Sequence, residues 1–101
     1  MAITTSRSPD GTTLNIRIDG RFDFSSHQAF RDAYEHGDQN VSAYLIDLRD
    51  TTYLDSSALG MLLLLRDYAG GDNARVTLAH CNDDVRRILT ISNFEQLFDI
   101  R

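Results

Sequence analysis

The stretch that decides the fold is Tyr44-Leu45-Ile46-Asp47-Leu48, followed after a short connection by Tyr53-Leu54-Asp55-Ser56-Ser57-Ala58-Leu59-Gly60-Met61. The first segment is short and almost wholly apolar, which predicts a strand buried on both faces. The second places a carboxylate and two hydroxyls just before a run of leucines, the pattern of a loop turning into a helix. Gly70-Gly71 marks where that helix stops. A buried strand feeding a helix through a short loop is the repeating unit of a sheet with parallel neighbours.

The flanking sequence extends the same pattern. Upstream, Ser8-Pro9-Asp10-Gly11 is turn chemistry, because proline presets one dihedral and glycine accepts positive φ. Beyond it Leu14, Ile16 and Ile18 alternate with Asn15, Arg17 and Asp19, as in a half-buried strand. The segment around Ile3 can pair with it as the first arm of a hairpin. Ser25 and Gln28 have capping-box spacing, and Phe30, Ala33 and Tyr34 recur at helical spacing up to Gly37. Downstream, Arg75 to Ala79 reads as a short buried strand. Asn82 caps a third helix with Asp83 and Asp84 in its first turn, where the dipole favours negative charge. Val85, Ile88 and Leu89 form the apolar stripe of that helix, and Phe94, Leu97 and Phe98 mark a short final helix. The expected fold is a single α/β domain spanning 1–101, with a mixed four- to five-stranded sheet and helices mainly on one face.

Composition narrows the function classes. Of the 101 residues, 42% are hydrophobic and 25% charged, the balance of a globular chain. The basic residues are ten arginines with no lysine, against thirteen aspartates and two glutamates, for a net charge of −5. This argues against nucleic acid or an anionic membrane as a direct partner. Without lysine there is no phosphate-loop lysine, which excludes a Walker-type nucleotide site. A single cysteine, Cys81, rules out an internal disulfide and fits a reducing compartment. The longest apolar run, Met61 to Leu65, falls far short of the ~20 residues that span a bilayer, and Met1 to Arg7 has no signal-peptide pattern. A cytoplasmic domain is expected.

Asp55-Ser56-Ser57 concentrates the candidate chemistry. Ser56, Ser57 or Asp55 could each simply cap the helix, yet three such residues exceed what one cap requires. Ala58 and Gly60 leave the first turn open to close approach. Leu59, Leu62 and Leu63 can face the core, which leaves Met61, Leu64 and Leu65 wholly or partly off that stripe. They are either covered by the final helix or offered to a partner. No Gly-x-Ser-x-Gly elbow surrounds Ser56, and His80-Cys81 lacks a second cysteine or paired histidine for a metal. His27 and His36 read as solvated, Arg86-Arg87 as an exposed helix face, and Phe24 as a hydrophobic staple or an interface aromatic. No catalytic residue and no metal or cofactor site is expected.

Asp55-Ser56-Ser57-Ala58-Leu59-Gly60 after a Leu-Ile-Asp-Leu strand, with Ile18-Asp19-Gly20-Arg21-Phe22-Asp23 upstream, resembles the STAS-domain anti-sigma factor antagonists of bacteria. The likeness covers essentially the whole chain. The family's usual glycine after the two serines is Ala58 here. The resemblance implies a binding protein, not an enzyme, that sequesters an anti-sigma factor and so frees a sigma factor. It implies phosphorylation on Ser56, with Ser57 as second choice, by a partner kinase that brings its own ATP and Mg²⁺, and reversal by a serine phosphatase. It further implies a partner surface at Asp23 and Phe24 and along the second helix at Asp55, Ser57, Ala58, Met61 and Leu65, on a monomer or weak dimer. The alternatives are a stand-alone STAS subunit of a membrane transporter ATPase complex, a phosphocarrier or small enzyme using Ser56 or a histidine, and a regulator of a non-sigma signalling enzyme.

Overall fold

The computed structural model describes residues 2–35 and 41–101. The helix stop expected at Gly37, and His36 beside it, lie outside the described residues. Strands β1 (Ala2–Arg7) and β2 (Thr13–Phe22) form the expected antiparallel hairpin, with Ile3 opposite Ile18 and Arg7 opposite Leu14. Helix α1 (His27–Glu35), strands β3 (Ala43–Asp47) and β4 (Thr51–Leu54), helix α2 (Ser56–Tyr68), strand β5 (Val76–Ala79), helix α3 (Asp83–Ile91) and strand β6 (Asp99–Ile100) follow. The sheet runs β1-β2-β3-β5-β6, with β4 also paired to β2. Every pairing except the opening hairpin is parallel.

Period-two alternation decides which face is covered. Leu14, Ile16 and Ile18 on β2 share a face with Tyr44 and Ile46 on β3 and Val76 and Leu78 on β5, and all are buried. The opposite face carries Thr4, Ser6, Asn15, Arg17, Leu45 and Asp47, which line a shallow polar groove open to solvent. The helices therefore pack on one side, as expected. β3 departs from its apolar reading for the same reason. Tyr44, Ile46 and Leu48 are buried, whereas Leu45 and Asp47 on the uncovered face are only half-buried.

β4 was not anticipated, and it doubles the use of β2. Thr13 to Arg17 of β2 pair with β3, whereas Gly20, Arg21 and Phe22 pair with β4, with a register shift between Gly20 and Arg21. Gly20 sits at that irregularity with φ of +87°, where a residue with a Cβ is strained. The buried Thr51 hydroxyl donates to the Ile18 carbonyl at 2.8 Å, and Asn82 Nδ2 donates to the Thr51 carbonyl at 2.9 Å. Asn82 also caps α3, accepting from Val85 N–H at 2.9 Å, so one side chain starts that helix and pins β4.

Two local expectations change. The segment 94–98 is a single 3₁₀ turn, Phe94–Gln96, followed by the two-residue strand β6, rather than a helix. Phe94 and Phe98 are buried, and Leu97 stays exposed. The Ser25–Gln28 capping box does not form. A 3₁₀ turn, Phe24–Ser26, precedes α1, and Asp23 caps it by accepting from Ser25 N–H at 3.0 Å, while Gln28 donates to Asp32. α2 ends where the glycines predict, with Gly70 and Gly71 at φ of +121° and +62°.

Gly20→Ala should lower stability by about 1–2 kcal/mol, the cost of a Cβ in the left-handed region, read as a shift of the urea midpoint at constant slope. A second expectation concerns the hairpin turn. Asp10 accepts from the Ser8 hydroxyl and from the Thr12 hydroxyl and N–H, which lower its carboxyl from 3.8 to about 2. A lowered folded-state value stabilises above the unfolded value and is lost as pH falls through the folded one. The stability gap between the wild type and Asp10→Asn should therefore be constant above about pH 5 and close as denaturation curves are taken down towards pH 2.

Candidate functional site

The site is set by two parallel strands ending side by side. Phe22 of β2 pairs with Leu54 of β4, so the residues that follow, Asp23 and Asp55, leave the sheet at the same level. Strands so paired lie about 4.8 Å apart. Each aspartate takes an extended conformation and caps the helical segment after it. Asp55 accepts from Ala58 N–H at 2.9 Å. Asp23 accepts from Ser25 N–H and, at 2.5 Å, from the Ser25 hydroxyl. That hydroxyl bond, with help from Arg21 at 3.3 Å, holds the Asp23 carboxyl below its ordinary value. The Asp23 group is therefore charged at neutral pH.

Capping by Asp55 decides the role of the serines. Ser56 opens α2, is exposed, and has no side-chain hydrogen bond among the described residues. Ser57 is half-buried. The N–H groups of the first helical positions have no intrahelical partner, and Asp55 takes only that of Ala58. Ser56 is thus free of structural duty and sits at the positive end of a thirteen-residue helix.

The β2–β4 pairing puts the loop of Asp23 and Phe24 beside that of Asp55 and Ser56, with Arg21 and Tyr53 opposite each other on the strands that lead into them. Phe24 is 72% exposed and stacks on the His27 ring, with centroids 5.9 Å apart. A staple would bury the ring, so that expectation is not met. Arg21 lies over the Tyr53 ring at 4.2 Å, across the β2–β4 pairing. The run Thr51-Thr52-Tyr53-Leu54, β-branched and aromatic, is the signal that could have placed Tyr53 on a strand.

Three expected surface residues are core instead. Ala58 and Leu65 are fully buried and Met61 is 4% exposed. With Leu62 they occupy one arc of α2, at i, i+3, i+4 and i+7, and pack onto the sheet. Leu63, Leu64 and Tyr68 face solvent in their place. Five consecutive apolar residues give no phase, and the buried arc lies about one position N-terminal to the stripe expected at Leu59, Leu62 and Leu63. Among the described residues no cluster of His, Cys, Asp or Glu could hold a metal ion, and no helix is long and apolar enough to cross a membrane. His80 meets Arg49 at 3.2 Å, and the half-buried Cys81 thiol donates to the Leu78 carbonyl.

With this geometry in hand, a family model described as "Mlab, STAS domain" matches residues 5–99. The chain belongs to the STAS family. It is 64% identical over 100 residues to the STAS-domain containing protein PA14_20770 of Pseudomonas aeruginosa (strain UCBPP-PA14), covering 99% of both chains. Among solved structures, this STAS domain is similar to the anti-sigma factor antagonist SpoIIAA in its unphosphorylated form, with a TM-score of 0.79, 19% identity, and 99% of this chain and 88% of that one covered. The phosphorylated form of the same Bacillus cell fate determinant gives a TM-score of 0.69 at 16% identity, covering 99% and 91%. An anti-sigma factor antagonist from Mycobacterium paratuberculosis gives 0.73 at 19%, covering 98% and 85%. At these identities the structures establish the shared fold.

The division of labour between cap and serine is measurable. Asp55→Ala should cost about 1 kcal/mol, the usual worth of an N-cap. Ser56→Ala should stay within about 0.5 kcal/mol of the wild type, as for an unpartnered surface residue. Equilibrium denaturation of both variants checks the pair.

Proposed function

We propose that this STAS domain is a binding module that sequesters an anti-sigma factor, thereby freeing a sigma factor, and that phosphorylation of Ser56 switches it off. The observation that carries this is the unemployed Ser56 hydroxyl, exposed at the start of α2 because Asp55 does the capping. A serine that serves only the fold has no reason to stand free there. The likeness to a protein solved in both unphosphorylated and phosphorylated forms supports the same reading.

The reaction on Ser56 is phosphoryl transfer by a partner. The serine oxygen attacks the γ-phosphorus of ATP, the bond to the β–γ bridging oxygen breaks, and the hydroxyl proton leaves to the kinase's base. ATP and Mg²⁺ belong to that kinase, which is the anti-sigma factor itself or acts beside it, and a serine phosphatase reverses the step. The added group carries about −1.5 to −2 charges. Free N–H groups and the helix dipole accommodate it within the domain. At an interface the same charge faces Asp23 and Asp55 and must be desolvated. A penalty of ~3 kcal/mol there weakens binding by roughly a hundredfold. The contact surface is Asp23, Phe24, Asp55, Ser56 and Ser57, extended by Arg21 and Tyr53. Ala58, Met61 and Leu65 hold the helix in place beneath it.

The test is a pull-down from the native cells with phosphosite mapping of the recovered protein. The wild type and Ser56→Ala should retain an anti-sigma factor that Ser56→Asp loses by about a hundredfold, with phosphate found on Ser56. Equal retention by all three forms, with no phosphate under any growth condition, overturns the proposal. If what they retain is a membrane transporter ATPase, an assembly subunit replaces it.

A further inference from the structure

The solvent side of α2 is self-complementary. At 100° per residue, Ser56, Gly60, Leu63 and Asp67 fall within an arc of about 60°, opposite the buried arc of Ala58, Met61, Leu62 and Leu65. Leu63 is 38% and Leu64 53% exposed, uncommon exposure for leucines on a helix already seated on the core. A Cβ built on Gly60 meets nothing within 4 Å, so the surface above it is open. Asp67 is exposed, and its carboxylate has no hydrogen-bond or ion-pair partner among the described residues. One end of this line is the positive terminus of the helix. The other end, one residue from its close, is a free carboxylate.

We propose that α2 docks antiparallel on α2 of a second copy of this chain, about a two-fold axis between Gly60 and Leu63. In that register Leu63 of each copy lies over Gly60 of the other, Leu59 faces Leu64, and Asp67 faces Ser56. Each Asp67 carboxylate then meets the Ser56 hydroxyl and the uncapped N–H groups at the first turn of the opposite helix. Antiparallel helices also bring the positive end of each dipole beside the negative end of the other. A two-fold contact demands such matching of a surface with itself. A different protein would have to supply a carboxylate and a leucine at the same spacing, whereas a second copy already has both.

The contact is small. One helix pair buries less than the ~1,200 Å² at which stable complexes begin, so the dimer is weak and forms as concentration rises. It covers the Ser56 end of α2, so self-association competes with both the partner and the kinase. Phosphate on Ser56 faces Asp67 of the second copy and dissolves the dimer. This inference takes the role of Ser56 from the proposed function, but the purified chain alone tests it, so the two can fail separately.

Sedimentation equilibrium of the full chain over a range of concentrations reads the outcome. The wild type should rise from monomer towards dimer mass. Asp67→Arg and Ser56→Asp should each weaken association by about tenfold or more, the effect of placing one repulsive or unmatched charge in an interface. Gly60→Leu should abolish it by filling the space that receives Leu63. The double variant Ser56→Asp/Asp67→Arg should restore it, a rescue that a general loss of solubility or fold does not produce. A wild type that stays monomeric throughout, or a dimer unmoved by Asp67→Arg and Gly60→Leu, overturns the proposal.

Discussion

The structure depends on the pairing of one strand with two successive parallel neighbours. β2 gives its first half to β3 and its last three residues to β4, and the change of partner is made at Gly20, in a conformation that L-residues rarely adopt. Without that shift β2 would end against β3 alone, and the loop at Asp23 would stand apart from the loop at Asp55. With it, both loops leave the sheet together. The buried Thr51 hydroxyl closes the irregularity by satisfying the Ile18 carbonyl. Asn82 secures the same short strand from the α3 side. A four-residue strand with exposed Thr52 and Tyr53 contributes little burial of its own, so these polar links set its position more than apolar packing does.

This arrangement separates structural from functional chemistry at residues adjacent in sequence. Asp55 and Asp23 satisfy helix ends, and the serine after Asp55 is left with nothing to hold. Ser25, which follows Asp23 after one residue, behaves differently: its hydroxyl is spent on the aspartate. The two aspartates therefore differ in what surrounds them, even though each caps a segment that contains a pair of serines in its first three residues. Only the α2 side offers a free hydroxyl at the head of a long helix. The aromatic pairs Phe22–Phe30 and Tyr34–Tyr68, with centroids 5.1 Å apart in each case, tie α1 to β2 and to α2, so the two loops are carried on rigid elements.

Much of the fold was legible because it is written in periodicity. The hairpin, the three helices, the Gly70-Gly71 stop and the Asn82 cap all follow from local pattern and capping chemistry. What failed failed for physical reasons. Met61 to Leu65 is apolar at every position, so the run declares a helix and hides its phase, and burial of Met61 and Leu65 beside exposed Leu63 and Leu64 is decided by the sheet beneath. Residues 51–54 were read as connection because the segment is held by links to the Ile18 carbonyl and the Asn82 side chain, both distant in sequence. Phe94 and Phe98 carried a helical spacing that a single 3₁₀ turn also satisfies. Ser25 lost the capping role to Asp23, whose carboxylate takes both the Ser25 N–H and the Ser25 hydroxyl. At the site, the motif located Ser56 and Asp55 but left open which of them caps, a question of geometry alone.

That geometry also explains how a single charge could govern binding without unfolding the domain. A phosphate at the first turn of α2 sits where the dipole and free N–H groups favour an anion, so the folded chain tolerates it. Asp23 and Asp55 stand on the two loops beside it and are themselves fixed by hydrogen bonds, so they cannot swing away to relieve repulsion. Arg21, on the strand leading to the Asp23 loop, is already shared between Asp23 and the Tyr53 ring, so a charge added at Ser56 would meet a cation that is already engaged. Its unfavourable consequences fall on whatever approaches the surface. A partner that tolerated the phosphate would have to bring its own basic group, and that group would bind the unmodified surface, with its paired aspartates, as well. Discrimination consequently requires a partner that is not strongly basic at this point. Under the proposed switch, the acidity of the rim would select the partner as well as make it sensitive to modification.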